Sequence, residues 1–267
     1  MSLERDPAVT ALPGGTLRID AAMSLASVAA HPLVRERAPL LAQAIAASRA
    51  AGITLAADLA QRGRCPWLQQ GADCLKNGGR ECFATAGDNR LLAILEGGPS
   101  WLVHASQAGV ALVALDADIE CVDGASGPRT VPASRFFVLP TERLDAETVL
   151  EPGECVAAVL LSPGSALGIQ RFHLVHDDAS SEVLVSLAAT RRADGEVRLV
   201  LGGVSPRPYR VYNSIEEETT SGGLDEETIE GLAERALLDA APLSRNGYKV
   251  ELAATLLRDA IRELARE

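Results

Sequence analysis

The stretch VLVSLAATRRADGEVRLVL, residues 183–201, decides how the second half of the chain is built. Val183, Val185, Leu187 and Ala189 alternate with polar or small residues, Asp194-Gly195 offers a turn, and Val197, Leu199 and Leu201 alternate again. A period of two on either side of such a turn predicts an antiparallel hairpin with one buried face. Downstream, residues 225–241 place Ile229, Leu232, Ala233, Ala236 and Leu237 at helical spacing, behind three acids that suit the positive end of a helix. Residues 246–266 repeat that spacing with Val250, Ala253, Leu256, Leu257, Ala260, Ile261 and Leu264. A hairpin followed by two helices is therefore expected.

Upstream, the apolar run 155–161 reads as a strand, and the polar stretch 140–153, with Pro140 and Pro152, separates it from the first half. That first half opens with Leu17-Arg18-Ile19 and then a helix over 39–51, whose Leu40, Leu41, Ala44, Ile45 and Ser48 share a face and which Gly52 can end. Val110, Val113 and Ala114 predict a second helix, and Ile119-Glu120-Cys121-Val122-Asp123 followed by Arg129-Thr130-Val131 predicts a hairpin. Between these elements, residues 61–90 lose all apolar periodicity and become rich in Gly, Arg, Asn and Cys. Long structureless insertions are uncommon in compact domains unless they serve a function. Two domains are expected, at 1–152 and 153–267, in line with roughly 100–200 residues per domain.

The chain has 267 residues, with 25 Lys and Arg against 36 Asp and Glu, a net charge of −11 that argues against a nucleic-acid partner. At 47% hydrophobic and 23% charged residues it has a globular composition, and only 3% of its residues are aromatic, so its core must be built mainly of Ala, Val and Leu. Apolar runs such as 156–161 are far below the roughly 18 residues of a membrane helix, and no apolar run follows a basic start. A cytoplasmic protein with no membrane partner is expected. Five cysteines, an odd number, do not read as a disulfide framework. Cys121 and Cys155 lie in strand-like runs and read as inert core thiols, whereas Cys65, Cys74 and Cys82 fall together in the 61–90 loop as three soft metal ligands.

Several ordered segments resemble one family. Leu201-Gly202-Gly203-Val204-Ser205-Pro206-Arg207-Pro208-Tyr209-Arg210 resembles an LGGVAPxPxR turn, and Ser244-Arg245-Asn246-Gly247-Tyr248-Lys249 resembles an SxxYK helix start. Leu17-Arg18-Ile19-Asp20-Ala21 resembles LRIGA, and 111–117 resembles ALxALDA. Gln61-Arg62-Gly63-Arg64-Cys65 resembles QRxRC, and Cys74-Leu75-Lys76 through Cys82 resembles the CLK…C of members with an added iron–sulfur loop. These landmarks identify the chain as a member of the FAD-binding (medium) subunit family of molybdenum hydroxylases, which includes xanthine dehydrogenase, aldehyde oxidoreductase and 4-hydroxybenzoyl-CoA reductase. The resemblance implies an α+β fold: the second lobe of a FAD-binding (PCMH-like) domain, followed by a CO-dehydrogenase-flavoprotein-like C-terminal domain with a three-stranded antiparallel sheet plus helices. It implies an oxidoreductase component with no catalytic residue of its own, passing electrons through FAD. Its implied partners are a molybdopterin-binding large subunit and a small subunit carrying 2Fe–2S clusters.

The same motif matches give the candidate cofactor residues. Thr54-Leu55-Ala56-Ala57-Asp58 stands at the family's TIGGN turn, where only Thr54 is retained, two Ala add Cβ atoms and Asp58 adds a negative charge beside an anionic cofactor. His104-Ala105-Ser106-Gln107 stands at HPSD and keeps His104 and Ser106. The basic strand YxKxRxRxSY reads 172–181 here and has lost its basic residues. The lobe carrying the AGGTDL phosphate loop is expected to be missing, with Pro13-Gly14-Gly15-Thr16 a tight turn rather than that loop. The rival to a flavin-carrying subunit is thus a degenerate scaffold or assembly subunit that keeps only the docking surfaces.

For Cys65, Cys74 and Cys82 the readings are an iron–sulfur cluster, zinc, or three surface thiols. A 4Fe–4S cluster needs a fourth ligand, and Ser100 stands where the family places it, with His104 as the other candidate. His173 and His176, three apart in a strand, point to opposite faces and share no metal. Ser180-Ser181 has no His and acid in a hydrolase arrangement. Trp67 and Trp101 flank the Cys loop as hydrophobic anchors.

Overall fold

The fold is that of a computed structural model, which describes residues 8–48, 52–123, 127–166, 168–177 and 182–266. It contains two antiparallel sheets. The first takes strands β1 (Val9–Ala11), β2 (Leu17–Asp20), β3 (Asp118–Val122), β4 (Arg129–Pro132) and β5 (Cys155–Leu161) in the order β1-β2-β5-β3-β4. Ile19 pairs with Val159 and Val159 with Ile119, so three β-branched residues form one buried row across its centre. Gly14 and Gly15, both at positive φ, close the β1–β2 hairpin, and Gly15 N–H donates to the Leu12 carbonyl. This is the tight turn expected from the sequence.

The second sheet takes β6 (Gly168–His176), β7 (Val183–Arg192), β8 (Val197–Gly202) and β9 (Tyr209–Arg210) in sequence order. Three long strands make the sheet, and the two-residue β9 extends it at one edge. The chain passes from one sheet to the other at Pro163–Ala166, after β5, rather than near residue 152. The polar stretch before β5 marks a loop inside the first sheet, because strand pairing between β5 and its neighbours β2 and β3 is set by partners far away in sequence. Cys155, the first residue of β5, is exposed, whereas Cys121 is buried, so only one of the two strand cysteines is a core thiol.

Sharing one core with the first sheet are α1 (Leu25–Ala30), α2 (Pro32–Arg37), α3 (Pro39–Ala47), α4 (Leu55–Leu59) and, beyond the Cys loop with its short α5 (Pro66–Gln69), α6 (Gln107–Ala114). The α3 helix buries Leu40, Leu41, Ala44 and Ile45 but is capped at Ser48, four residues before Gly52. The short α7 (Ala133–Phe136) follows β4. Helices α8 (Asn213–Ser221), α9 (Glu226–Ala236) and α10 (Tyr248–Arg266) complete the second half. Asp225 caps α9, its carboxylate accepting from Thr228 N–H at 2.9 Å.

Every residue of α6 is buried, because it lies between the sheets and touches α3, β7 and β8. The hairpin is consequently buried on both faces of β7, not on one. Leu187 and Ala189 face the core made with α9 and α10, while Ala188 and Val200 join the core of the first sheet. Ser186 donates to Gln107 Oε1 at 2.6 Å and Thr190 to the Ala114 carbonyl at 3.3 Å, so the small polar residues of β7 hydrogen-bond to both ends of α6. Gly202 permits this approach, since a Cβ there would stand 2.6 Å from Val110. Gly203 has φ +75° and the Leu184 carbonyl 2.5 Å from where a Cβ would sit. Gly203→Ala is expected to lower stability by roughly 1–3 kcal/mol, measurable as a lower urea midpoint at unchanged slope.

The motif near the C-terminus locks the Cys loop to this frame. Asn246 donates to the Leu92 and Ala93 carbonyls at 3.2 and 3.0 Å, and Asn89 accepts from Arg245 N–H at 2.9 Å. Lys249, fully buried, gives its three N–H donors to the carbonyls of Leu91, Leu92 and Gly203 at 2.9, 3.1 and 2.8 Å. Burial pulls its ammonium well below the usual lysine range. No helix among the described residues is long and apolar enough to cross a membrane.

Candidate functional site

The 61–90 loop is ordered by local packing rather than structureless. Besides α5 it forms single helical turns at Leu75–Asn77 and Phe83–Thr85. Trp67 lies against Gly87, and Trp101 against Gly97, leaving no room for a Cβ at either glycine. Buried Lys76 holds the loop to the segment before β5, donating to the Ala146 carbonyl at 2.7 Å and to Glu147 at 3.0 Å.

Cys65, Cys74, Cys82 and Ser100 line one small cavity, beside Trp67 and Phe83. Its volume of about 10 Å³ is room for a single water. The donor set, three soft thiols with a hydroxyl, suits an iron–sulfur cluster by chemistry. In the packing seen, no group of three or more His, Cys, Asp or Glu side chains among the described residues is arranged to hold an ion. Burial pushes the Cys65 thiol up from its ordinary value. His104 is not at this cavity: its ring packs edge-on against Phe137 at 4.4 Å, and its Nδ1 accepts from Ser106 N–H at 3.3 Å. Burial pulls the His104 pKa down to about 4, and its Nε2 is buried without a hydrogen-bond partner.

A second, larger cleft of about 330 Å³ opens where α4, the start of the Cys loop, the start of α6 and the start of β7 meet. Its polar wall includes Asp58, Gln61, Arg62, Arg64, Gln107 and Glu182. Asp58 sits near the end of α4 and is almost completely buried; Ser106, the residue capping α6, donates to its Oδ2, and Gln61 Nε2 to its Oδ1 at 3.1 Å. Burial raises its pKa to about 6 despite both bonds. Arg64, held by a backbone pair with Val103, reaches across to β7, donating to Glu182 at 2.7 Å and to the Val183 carbonyl at 3.0 Å. Its Nε is buried without a partner.

The N–H groups at the start of α4 are all used internally. Leu55 N–H donates to the Met23 carbonyl, Ala56 N–H to the Ala21 carbonyl and Ala57 N–H to Thr54 Oγ1, at 2.9, 2.8 and 3.1 Å. Of the four cofactor residues expected from the sequence, Asp58 lines the cleft and Ser106 supports it, whereas Thr54 and His104 do not line it. Gln61 and Arg64 stand within the QRxRC motif, but Glu182 comes from a distant strand and no local pattern marks it.

No family model matches the chain. The aldehyde oxidoreductase FAD-binding subunit PaoB of Escherichia coli (strain K12) is 30% identical over 257 residues, which is 93% of this chain and 78% of that protein. The chain belongs to the FAD-binding (medium) subunit family of molybdenum hydroxylases. Its fold recurs in solved structures, each match covering 97% of this chain and 78% of the other. Carbon monoxide dehydrogenase from Hydrogenophaga pseudoflava, lacking the Mo-pyranopterin moiety, has a TM-score of 0.62 at 19% identity. Quinoline 2-oxidoreductase from Pseudomonas putida 86 has 0.62 at 18% identity, and reconstituted CO dehydrogenase from Oligotropha carboxidovorans 0.66 at 15% identity. The chain is thus a medium-subunit homologue with an α+β fold.

Proposed function

We propose that this medium-subunit homologue acts in electron transfer, binding FAD at the cleft between α4, α6 and β7. It would do so beside a molybdopterin-binding large subunit and a small subunit with 2Fe–2S clusters. The observation that carries this reading is the 30% identity to an FAD-binding subunit over 93% of the chain, together with a cleft on the residues that stand at two of the family's flavin motifs. A bound flavin supplies the redox chemistry, and the protein binds it, orients it and sets its electrostatic surroundings. Asp58 and Arg64 would hold the flavin, and Ser106 would fix the Asp58 carboxyl. His104, behind Ser106, would hold that turn through its Nδ1.

Cys65, Cys74 and Cys82, with Ser100 beside them, are the residues that would ligate an iron–sulfur cluster as a second electron-carrying group, and since their cavity of about 10 Å³ has room for one water, the loop would have to open to admit it. The two-domain reading at 1–152 and 153–267 is kept with its boundary moved past β5, and a cytoplasmic location suits a subunit of this kind. The test is the visible spectrum and iron content of the full chain purified without air and then incubated with FAD. A retained flavin band, with iron present, is the expected result. A colourless, iron-free protein indifferent to FAD is the result the scaffold reading requires. In that iron-free state Cys155 is expected to react with a thiol reagent much faster than Cys65, Cys74 or Cys121, which are buried. Labelling of the intact protein followed by peptide mapping checks this.

A further inference from the structure

We propose that Glu147 is a latch between the cleft and the Cys cavity: an anionic ligand that takes Arg62 in the cleft leaves the Glu147 carboxylate to Lys76 and holds the Cys loop shut. The inference rests in part on the flavin reading above, since FAD is the anion that tests it. It sets an order of loading, in which metal reaches the cysteines before flavin fills the cleft.

Two cations meet at one oxygen. Glu147 Oε1 lies 3.0 Å from Lys76 Nζ and 3.5 Å from a guanidinium nitrogen of Arg62. Arg62 stands on the wall of the cleft and Lys76 on the wall of the Cys cavity, so this oxygen is common to both sites. Glu147 is buried and anchored away from the loop: its carbonyl accepts from Val138 N–H at 3.1 Å, and Thr148 beside it pairs with Phe137. Lys76 belongs to the loop, in the single helical turn that follows Cys74. Asn77 in that turn bonds back to the Ala72 carbonyl, while Lys76 bonds outward to Glu147 and the Ala146 carbonyl.

The Cys cavity admits nothing larger than water until this turn moves, and moving it takes Lys76 off Glu147. A buried carboxylate left without its cation is strongly unfavourable. Arg62 lessens that cost, because it lies on the same oxygen and its side chain, 51% exposed, has room to close in. With the loop shut, the two like charges share Glu147 and repel each other; with it open, Arg62 has Glu147 to itself. Arg62 therefore favours the open loop, and an anion that draws Arg62 into the cleft favours the closed one. The coupling is reciprocal, so an open loop weakens binding of the anion by the same factor.

The experiment labels the reduced, iron-free full chain with N-ethylmaleimide under single-hit conditions and follows buried Cys74 by peptide mapping, with exposed Cys155 as internal reference. Arg62→Ala removes a salt bridge, yet it is expected to slow Cys74 by roughly three- to fivefold, the worth of an ion pair with a half-exposed member. Glu147→Gln should speed Cys74 about fivefold, the difference between a hydrogen bond to a charged and to a neutral acceptor. It should also abolish the effect of Arg62→Ala in the double variant. Saturating FAD is expected to slow Cys74 in the wild-type chain but not in Arg62→Ala or Glu147→Gln. An Arg62→Ala rate equal to or faster than wild type overturns the proposal, since Arg62 then does not compete with Lys76. FAD that binds by fluorescence yet leaves the wild-type Cys74 rate unchanged overturns it too. FAD that fails to bind overturns the flavin reading alone, and the Arg62→Ala rate then decides the latch.

Discussion

Lys249→Met is expected to lower the thermal midpoint by roughly 5–15 °C. The Nζ of Lys249 donates to three carbonyls, those of Leu91, Leu92 and Gly203, inside a fully buried site. Methionine matches its length but leaves all three carbonyls without that donor. An unsatisfied buried polar group costs roughly 1–3 kcal/mol. Relief from burying an ammonium charge offsets part of the sum, so a net loss of roughly 2–4 kcal/mol is expected. For a chain of this size each kcal/mol moves the midpoint by about 2–4 °C. The loss should be felt first at residues 89–95, which Asn89, Asn246 and Lys249 fix to the second sheet. Differential scanning calorimetry checks the midpoint, and limited proteolysis checks whether cleavage shifts to that segment. An unchanged midpoint would show that the carbonyls find water or other donors and that Lys249 is dispensable to the lock.

Asp58→Asn is expected to act in the opposite direction, and only above about pH 4. The Asp58 carboxyl has its pKa raised by burial from 3.8 to about 6. A raised folded-state value means that the folded protein holds this proton more tightly than the unfolded chain. The resulting stability is fully present below about pH 4 and is lost as pH rises through about 6. A rise of that size corresponds to roughly 3 kcal/mol at most. Asparagine cannot ionise, so the difference between variant and wild type should be near zero at pH 4 and should favour the variant by up to that amount at pH 7. Other carboxylates titrate at low pH, Glu154 among them with its pKa lowered to about 2 by Arg129. They contribute equally to both proteins and drop out of the difference. Urea unfolding of both proteins at pH 4, 5.5 and 7 measures it. A variant less stable than wild type at pH 7 would mean that the Ser106 and Gln61 hydrogen bonds outweigh the burial of the charge.

Much of the second half is legible in the sequence, because periodicity is local. The alternation of 183–201, the Asp194-Gly195 turn and the apolar faces of α9 and α10 all depend on residues within a few positions of one another. The second buried face of β7 is not legible. Ser186, Ala188 and Thr190 read as solvent-facing beside Val185 and Leu187, yet their small size is what lets α6 lie on them. Strand β5 reads as part of the second domain for a related reason: its partners β2 and β3 lie far away in the chain, and the polar stretch before it looks like a boundary.

The site divides the same way. Cys65, Cys74, Cys82 and Ser100 read as a group from spacing and motif, and they do line one cavity. His104, an equally good ligand by its chemistry, is turned to Phe137 and Ser106 instead. Arg64 is visible as part of a motif, but its partner Glu182 lies 118 residues away. Ala56 and Ala57 mark in the sequence that the phosphate turn has changed. Only the structure shows that its N–H groups are bonded to Ala21, Met23 and Thr54.

Flavin binding by this medium-subunit homologue through Asp58 and Arg64 is tested most directly by equilibrium titration of the full chain with FAD, followed by flavin fluorescence. A saturable change with about one flavin per chain is the predicted result. Flavin fluorescence that stays unaltered at every protein concentration would contradict it.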